Sequence, residues 1–102
     1  MRVLLVDDEI EFVNALSNRL GMRGIETDVV HDGLQAIEFV DKNDPDVIVL
    51  DLEMPGLHGM DVLRKLSQTH PHIQVVILTA FGTEAREKEA EKLKAFDFLN
   101  KP

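Results

Sequence analysis

The run Val47-Ile48-Val49-Leu50-Asp51 constrains this chain more than any other stretch. Four aliphatic residues in succession read as a strand covered on both faces, the pattern of a central strand in a parallel sheet. The run stops at an acid, and Pro55-Gly56 turns the chain sharply soon after. In an open α/β sheet, ligands bind beyond the carboxyl ends of the strands. Asp51 therefore stands where such a fold places its chemistry, and the other motifs are read relative to it.

The flanking chain supplies the rest of the sheet. Arg2 to Val6 is an apolar strand ending in Asp7-Asp8. Asp8, with Glu11 three residues on, resembles a capping box. Phe12, Ala15, Leu16 and Leu20 then share one helical face, closed by Gly21 and Gly24. Glu26 to His31 is a polar-edged strand suited to a sheet edge. Asp32-Gly33 is a turn, and Leu34, Ala36, Ile37 and Val40 mark a second helix that Asn43-Asp44-Pro45 stops. Met60, Val62, Leu63 and Leu66 mark a third, ending before His70-Pro71-His72. Ile73 to Leu78 is a buried strand that runs into Thr79-Ala80. A fourth helix begins around Phe81-Gly82-Thr83, and only Ala85, Ala90 and Leu93 give it apolar surface, so its hold on the sheet is loose. Ala95 to Asn100 is the last strand, followed by Lys101-Pro102. Strict β-α alternation requires a parallel sheet with helices on both faces.

Composition narrows the function. A length of 102 residues suits one domain. No apolar run approaches the ~20 residues of a membrane helix. No signal peptide precedes the first strand. The absence of cysteine excludes disulfides, thiolate metal sites and cysteine nucleophiles, and fits a cytoplasmic location. A net charge of -8 opposes direct contact with nucleic acid.

Asp7-Asp8, Asp51, Thr79 and Lys101 all follow strands, and parallel strands place those ends on one rim. Each residue alone has an ordinary reading: Asp8 as a helix cap, Asp51 as a turn former, Thr79 as a strand end, Lys101 as a solvated lysine. Jointly they form a site. Two carboxylates 4 Å apart repel by roughly 4 kcal/mol at an effective dielectric of 20. Either some protonate or a cation sits among them, and an all-oxygen donor set favours Mg²⁺ over zinc. A lysine and a hydroxyl beside such a carboxylate suggest phosphoryl transfer onto Asp51. His70-Pro71-His72 reads as a polar loop rather than a metal clip, and His31 and His58 as structural or solvated.

Val6-Asp7-Asp8-Glu9, Asp51 through Gly59, Leu78-Thr79-Ala80 and Phe96 through Pro102 together resemble the receiver domain of two-component response regulators. The resemblance spans the chain, residues 1–102, as one domain. It implies a flavodoxin-like, doubly wound, five-stranded parallel sheet ordered 2-1-3-4-5. It implies that Asp51 accepts phosphate from the phosphohistidine of a sensor histidine kinase or phosphotransfer protein. Asp8, Asp51 and the backbone carbonyl of Glu53 would ligate Mg²⁺, with Asp7 acting through water. Thr79 and Phe98 would be the switch residues. Lys101 would pair with the phosphoryl group, through a cis bond to Pro102. Phe98, lacking a hydroxyl, should be biased inward before activation. The domain would catalyse only its own phosphorylation and dephosphorylation.

Two departures stand out. Lys94 occupies a position where the family usually has glycine, so the fourth helix must end on a costly backbone conformation or differently. The family's fifth helix is absent from this chain, which predicts exposed apolar surface around Val3, Leu5 and Leu99. A second copy covering that surface would give a homodimer. Phe81 is expected to hinder water at the acyl phosphate, and Glu53 to repel hydroxide. The competing enzyme reading is a haloacid-dehalogenase-like phosphatase with Asp51 as nucleophile and Glu53 as acid. Those enzymes carry the nucleophile on the first strand and need a cap insertion that this chain lacks. A non-phosphorylated interaction module on the same fold has no need of all five site groups.

Overall fold

In the computed structural model, which describes residues 1–80 and 82–102, strands and helices alternate strictly. The order is β1 (Arg2–Val6), α1 (Ile10–Met22), β2 (Glu26–Val30), α2 (Gly33–Lys42), β3 (Val47–Leu50), α3 (Gly59–Thr69), β4 (Gln74–Thr79), α4 (Glu84–Lys92) and β5 (Asp97–Asn100). All strand pairs are parallel, and the sheet runs β2-β1-β3-β4-β5 with β2 at an edge, as expected. Register brings Val6 beside Leu50, Leu50 beside Ile77, and Thr79 beside Asn100. The residues that follow β1, β3 and β5 therefore emerge close together on one rim, beside the last residue of β4.

Alternation within the strands divides the apolar side chains between two cores. Leu4, Val6, Ile48, Leu50 and Ile77 pack with Ala36 and Val40 of α2, Val62, Leu63 and Leu66 of α3, and Ala90 of α4. Val3 and Leu5 face the other way, onto Val13, Leu16 and Leu20 of α1. Val3 and Leu5 are thus buried, contrary to the expectation that both would be exposed. Helix α1 alone suffices to cover β1. Leu99 is exposed as expected, at 47%. Val49 of β3 and Val76 and Leu78 of β4 are only half-buried on that side.

Local sequence accounts for most helix ends. Asp32 is not merely part of a turn: its side chain caps α2 by accepting the Gln35 N–H at 2.8 Å. Thr83 caps α4 in the same way, accepting from Arg86 N–H at 3.1 Å. Asp8 does not cap α1. The helix starts at Ile10, and Asp7 Oδ1 instead accepts the Glu9 N–H at 2.9 Å. The cap position falls to Glu9, one residue past Asp8, and the Asp8 carboxylate lies within 4.8 Å of those of Asp7 and Asp51. Two side chains expected on buried helical faces point outward. Ala15 is exposed because Val13 is the buried residue at the centre of the α1 face, and Leu34 is 65% exposed at the first turn of α2.

Helix α4 buries only Ala90 and is otherwise charged, in keeping with its sequence. It ends with Lys94 at φ 66°, the left-handed conformation that favours glycine. Lys94 N–H donates to Glu91 O and Ala95 N–H to Ala90 O, both at 3.0 Å, so the helix closes on hydrogen bonds despite the unfavourable residue.

Candidate functional site

Asp51 is the first residue past β3, and its N–H donates to Val6 O at 3.0 Å. That bond holds it level with Asp7, whose N–H donates to Val30 O at 3.1 Å. Both acids are buried, each with 4% of its surface exposed. One carboxylate oxygen each from Asp7, Asp8 and Asp51 lies within 4.8 Å of the others. Lys101 is brought to the same point by β5, with its N–H on Thr79 O at 2.9 Å. Its ammonium lies 2.8 Å from Asp7 Oδ2, 2.5 Å from Glu9 Oε1 and 3.5 Å from Asp51 Oδ2. The same Nζ stands 4.6 Å from the centre of the Phe12 ring. Thr79, fully buried at the end of β4, hydrogen-bonds the Asp51 side chain. Glu53 N–H donates to Asp51 Oδ1 at 3.3 Å.

The electrostatics follow from this crowding. Burial raises the Asp51 carboxyl above the ordinary carboxylate range, and the charge of Asp7 raises it further. Lys101, the Glu53 N–H and the Thr79 hydrogen bond oppose that rise without cancelling it. For Lys101, burial pulls the ammonium down, but its bonds to Asp7 and Glu9 and the charges of Asp51 and Asp7 prevail. It is held above the usual lysine range and stays protonated. One ammonium thus serves a group of carboxylates. Three clustered carboxylates with no nitrogen or sulfur donor form a hard-oxygen set that fits Mg²⁺.

Every residue expected at the rim through its side chain is found there: Asp7, Asp8, Asp51, Thr79 and Lys101. Phe98 is half-buried and packs against the larger core rather than facing solvent. The Lys101–Pro102 bond is trans, against the cis isomer the family resemblance implied. Pro102 is exposed, so the ordinary trans preference of an X–Pro bond decides. The expectation for Phe81 lies outside the described residues. His70 and His72 lie in a polar loop, as expected, with His72 2.8 Å from Asp44 and His70 3.8 Å from Asp41; His58 Nδ1 accepts Met60 N–H at 3.1 Å to cap α3, and His31 Nδ1 lies 3.1 Å from Asp7 O.

Sequence reasoning missed three participants. Glu9 shares the ammonium of Lys101, and Phe12 lies beside it. Arg86 of α4 forms an ion pair with Glu53. Glu9 follows directly on Asp7-Asp8, and Phe12 lies one helical turn past Asp8, so both could have been suspected from position. Arg86 carried no signal, being one charge among many on a polar helix.

Comparison with known proteins agrees with this geometry. Residues 3–102 match the profile of the response regulator receiver domain, and the chain belongs to that family. It is a receiver domain of the kind found in two-component response regulators. It is 40% identical over 102 residues to the transcriptional regulatory protein CutR of Streptomyces coelicolor, covering 100% of this chain and 47% of CutR. The chain thus spans about half the length of that curated relative. The receiver domain of Francisella response regulator 1452 superposes with a TM-score of 0.92 at 33% identity, covering 99% of this chain and 84% of that one. Response regulator TrrA of Thermotoga maritima, solved in complex with Mg²⁺-BeF, superposes with a TM-score of 0.90 at 28% identity, covering 99% and 86%. Among the described residues, no helix is long and apolar enough to cross a membrane.

Proposed function

We propose that Asp51 is the phosphoacceptor and that phosphorylation there switches the domain. The observation that carries this reading is the placement of Lys101 Nζ 3.5 Å from Asp51 Oδ2. An acid nucleophile and a fixed cation from distant strands meet where a transferred PO₃ group would need them. In the step itself, an Asp51 carboxylate oxygen bonds to phosphorus. The P–N bond of a donor phosphohistidine breaks, and the freed imidazole nitrogen takes a proton from solvent. Lys101 and the Thr79 hydroxyl then engage phosphoryl oxygens. Asp7, Asp8, Asp51 and the Glu53 carbonyl would hold Mg²⁺, and TrrA with its Mg²⁺-BeF supports that assignment by likeness. When bound, the ion would neutralise charge on the transferring group.

The donor fits a sensor histidine kinase or a phosphotransfer protein, the partners that membership of the receiver-domain family implies. Movement of Thr79 toward the phosphoryl group frees space beside β4, and Phe98, half-buried on the adjacent β5, is the ring placed to follow. The α4–β5 surface would report the change.

Incubation with acetyl phosphate and Mg²⁺ tests the proposal. Intact-mass measurement should show one phosphoryl adduct, labile to hydroxylamine and lost in Asp51→Asn. Labelling that persists in Asp51→Asn would show that the acceptor lies elsewhere.

A further inference from the structure

Glu53 is expected to repel hydroxide beside Asp51. In the structure its charge is not alone. The Glu53 carboxylate pairs with Arg86 from the first turn of α4, and His58 Nε2 lies 3.8 Å from the same Glu53 oxygen. Arg86 and Glu53 are each only about a third exposed, at 32% and 36% of their side-chain surface. Their pair differs from the Lys88–Glu84 pair on the same helix, whose side chains are 70% and 86% exposed and which merely decorates the surface.

The location is more telling than the bond. Glu53, Ala80, Gly82, Thr83 and Arg86 line an open depression of about 630 Å³. Glu53 stands two residues past Asp51 and contacts it through its backbone N–H. Ala80 directly follows Thr79. The depression is therefore lined by the residue two past Asp51 and the residue next to Thr79, which sets it beside the carboxylate and hydroxyl of the site. Any phosphodonor is an anion, and it meets a chain of net charge -8 with three carboxylates clustered at the target. An uncompensated Glu53 at the mouth would add to that repulsion.

We infer that Arg86 is a positioning residue for phosphoryl transfer: by pairing with Glu53 it neutralises the mouth of the acceptor site and admits dianionic acyl phosphates. This rests on the phosphoacceptor reading of Asp51. Arg86 touches no reacting atom; it acts through Glu53 and through its own charge. The local structure keeps it there. Arg86 N–H is bound by the Thr83 cap at 3.1 Å, so the first turn of α4 is fixed in register with the depression.

The test is a charge cycle on the full chain. The initial rate of phosphorylation by acetyl phosphate with saturating Mg²⁺ is measured for wild type, Arg86→Gln, Glu53→Gln and the double variant. At low ionic strength Arg86→Gln should react about fivefold more slowly, since the part-buried Glu53 carboxylate is left uncompensated. Glu53→Gln should react at least as fast as wild type, and the double variant should return close to wild type. In ~1 M salt, where the screening length is about 3 Å, the differences should shrink. A pin that only holds α4 in place predicts otherwise: both single variants slow together, and salt leaves the difference unchanged. That result overturns the inference, as does a rate indifferent to Arg86. Label confined to Asp51 with no dependence on the Arg86 charge removes this inference alone. Label that survives Asp51→Asn removes the phosphoacceptor reading and this inference with it.

Discussion

Replacing Gly59 by alanine should destabilise the domain, whereas the same change at Gly21 should not. Gly59 opens α3, and its N–H donates to Leu52 O at 3.1 Å. A Cβ there would stand 2.6 Å from Leu52 Cα and closer still to the Asp51 carbonyl oxygen, where ordinary contacts begin at 3.4 Å. Both obstacles are backbone atoms and cannot rotate away. The Asp51–Leu52 peptide would have to retreat by at least about 0.8 Å, the shortfall at Leu52 Cα, and by more at the carbonyl oxygen. Overpacking of this kind costs ~1–3 kcal/mol, and weakening the Gly59–Leu52 hydrogen bond adds about 1 kcal/mol. Helix propensity returns less than ~1 kcal/mol at a first-turn position. The net loss should be about 1–3 kcal/mol. Gly21 lies within α1, is not in a left-handed conformation, and has nothing within 4 Å of a built Cβ. There alanine should add about 0.5–1 kcal/mol. Urea unfolding monitored by circular dichroism gives both values from midpoints at a common slope. Because the displaced peptide carries Asp51, the proposed acceptor, Gly59→Ala should also slow phosphorylation of the folded fraction. Equal stability of the two variants would refute the packing argument.

Other outcomes follow from the same structure. Lys94→Gly should stabilise the domain by ~1 kcal/mol, since it removes a side chain from φ 66°, and thermal unfolding checks it. The Asp51 carboxyl is raised by burial and by Asp7, so the folded state holds its proton to higher pH than the unfolded chain does. Unfolding free energy of the metal-free protein should therefore fall as pH rises from the ordinary carboxylate range through the raised value, and Asp51→Asn should lack that fall. Mg²⁺ should abolish it by favouring the ionised form, as denaturant titrations at several pH values would show. Lys101→Met removes the resident ammonium from a site where it stands 2.8 Å from Asp7 and 3.5 Å from Asp51. Mg²⁺ affinity by calorimetry should rise roughly tenfold as the competing charge leaves, while phosphorylation slows by at least about tenfold.

What could be read in advance divides along a physical line. The sheet order and the rim residues were legible because they depend on alternation and on where apolar runs stop. Val47 to Asp51 needs no partner to announce a central strand with an acid at its end. Contacts between elements that touch only through side chains were not legible. Arg86 sits on a helix where most residues are charged, and nothing in its neighbours distinguishes it from Lys88 or Lys92. Glu9 looked like the first turn of α1, yet its carboxylate reaches the ammonium of Lys101, 92 positions away in the chain. Burial was misjudged at Leu34 and Ala15 for a related reason. Helical spacing identifies a stripe, but its rotation about the axis depends on the packing of the adjoining layer, and in α1 that layer selects Val13. The exposure expected at Val3 and Leu5 failed because α1 lies directly over β1, so the uncovered surface falls further along the sheet, toward Leu99.

The charge arrangement would suit such a site to the switching proposed above. Buried carboxylates that share a single ammonium are not at an electrostatic optimum: Asp51 is held above its ordinary range even with Lys101, Thr79 and the Glu53 N–H all favouring its ionised form. Every route to relief adds positive charge or rearranges donors. A divalent ion supplies the first, and a phosphoryl group, with more acceptor oxygens than the carboxylate it replaces, compels the second. Lys101 can answer because one of its partners, Glu9, is 58% exposed at the side chain and loses little by returning to water. Thr79 can answer because it ends β4 rather than lying within it. Both strands lead to the surface formed by α4 and β5, the least anchored part of the fold, where only Ala90 of α4 is buried. A site under electrostatic strain is thereby joined to the element that moves at least cost, so Lys101 and Thr79 should transmit the change while the β1–β3 core, fully packed at Leu4, Leu5, Ile48 and Leu50, stays fixed.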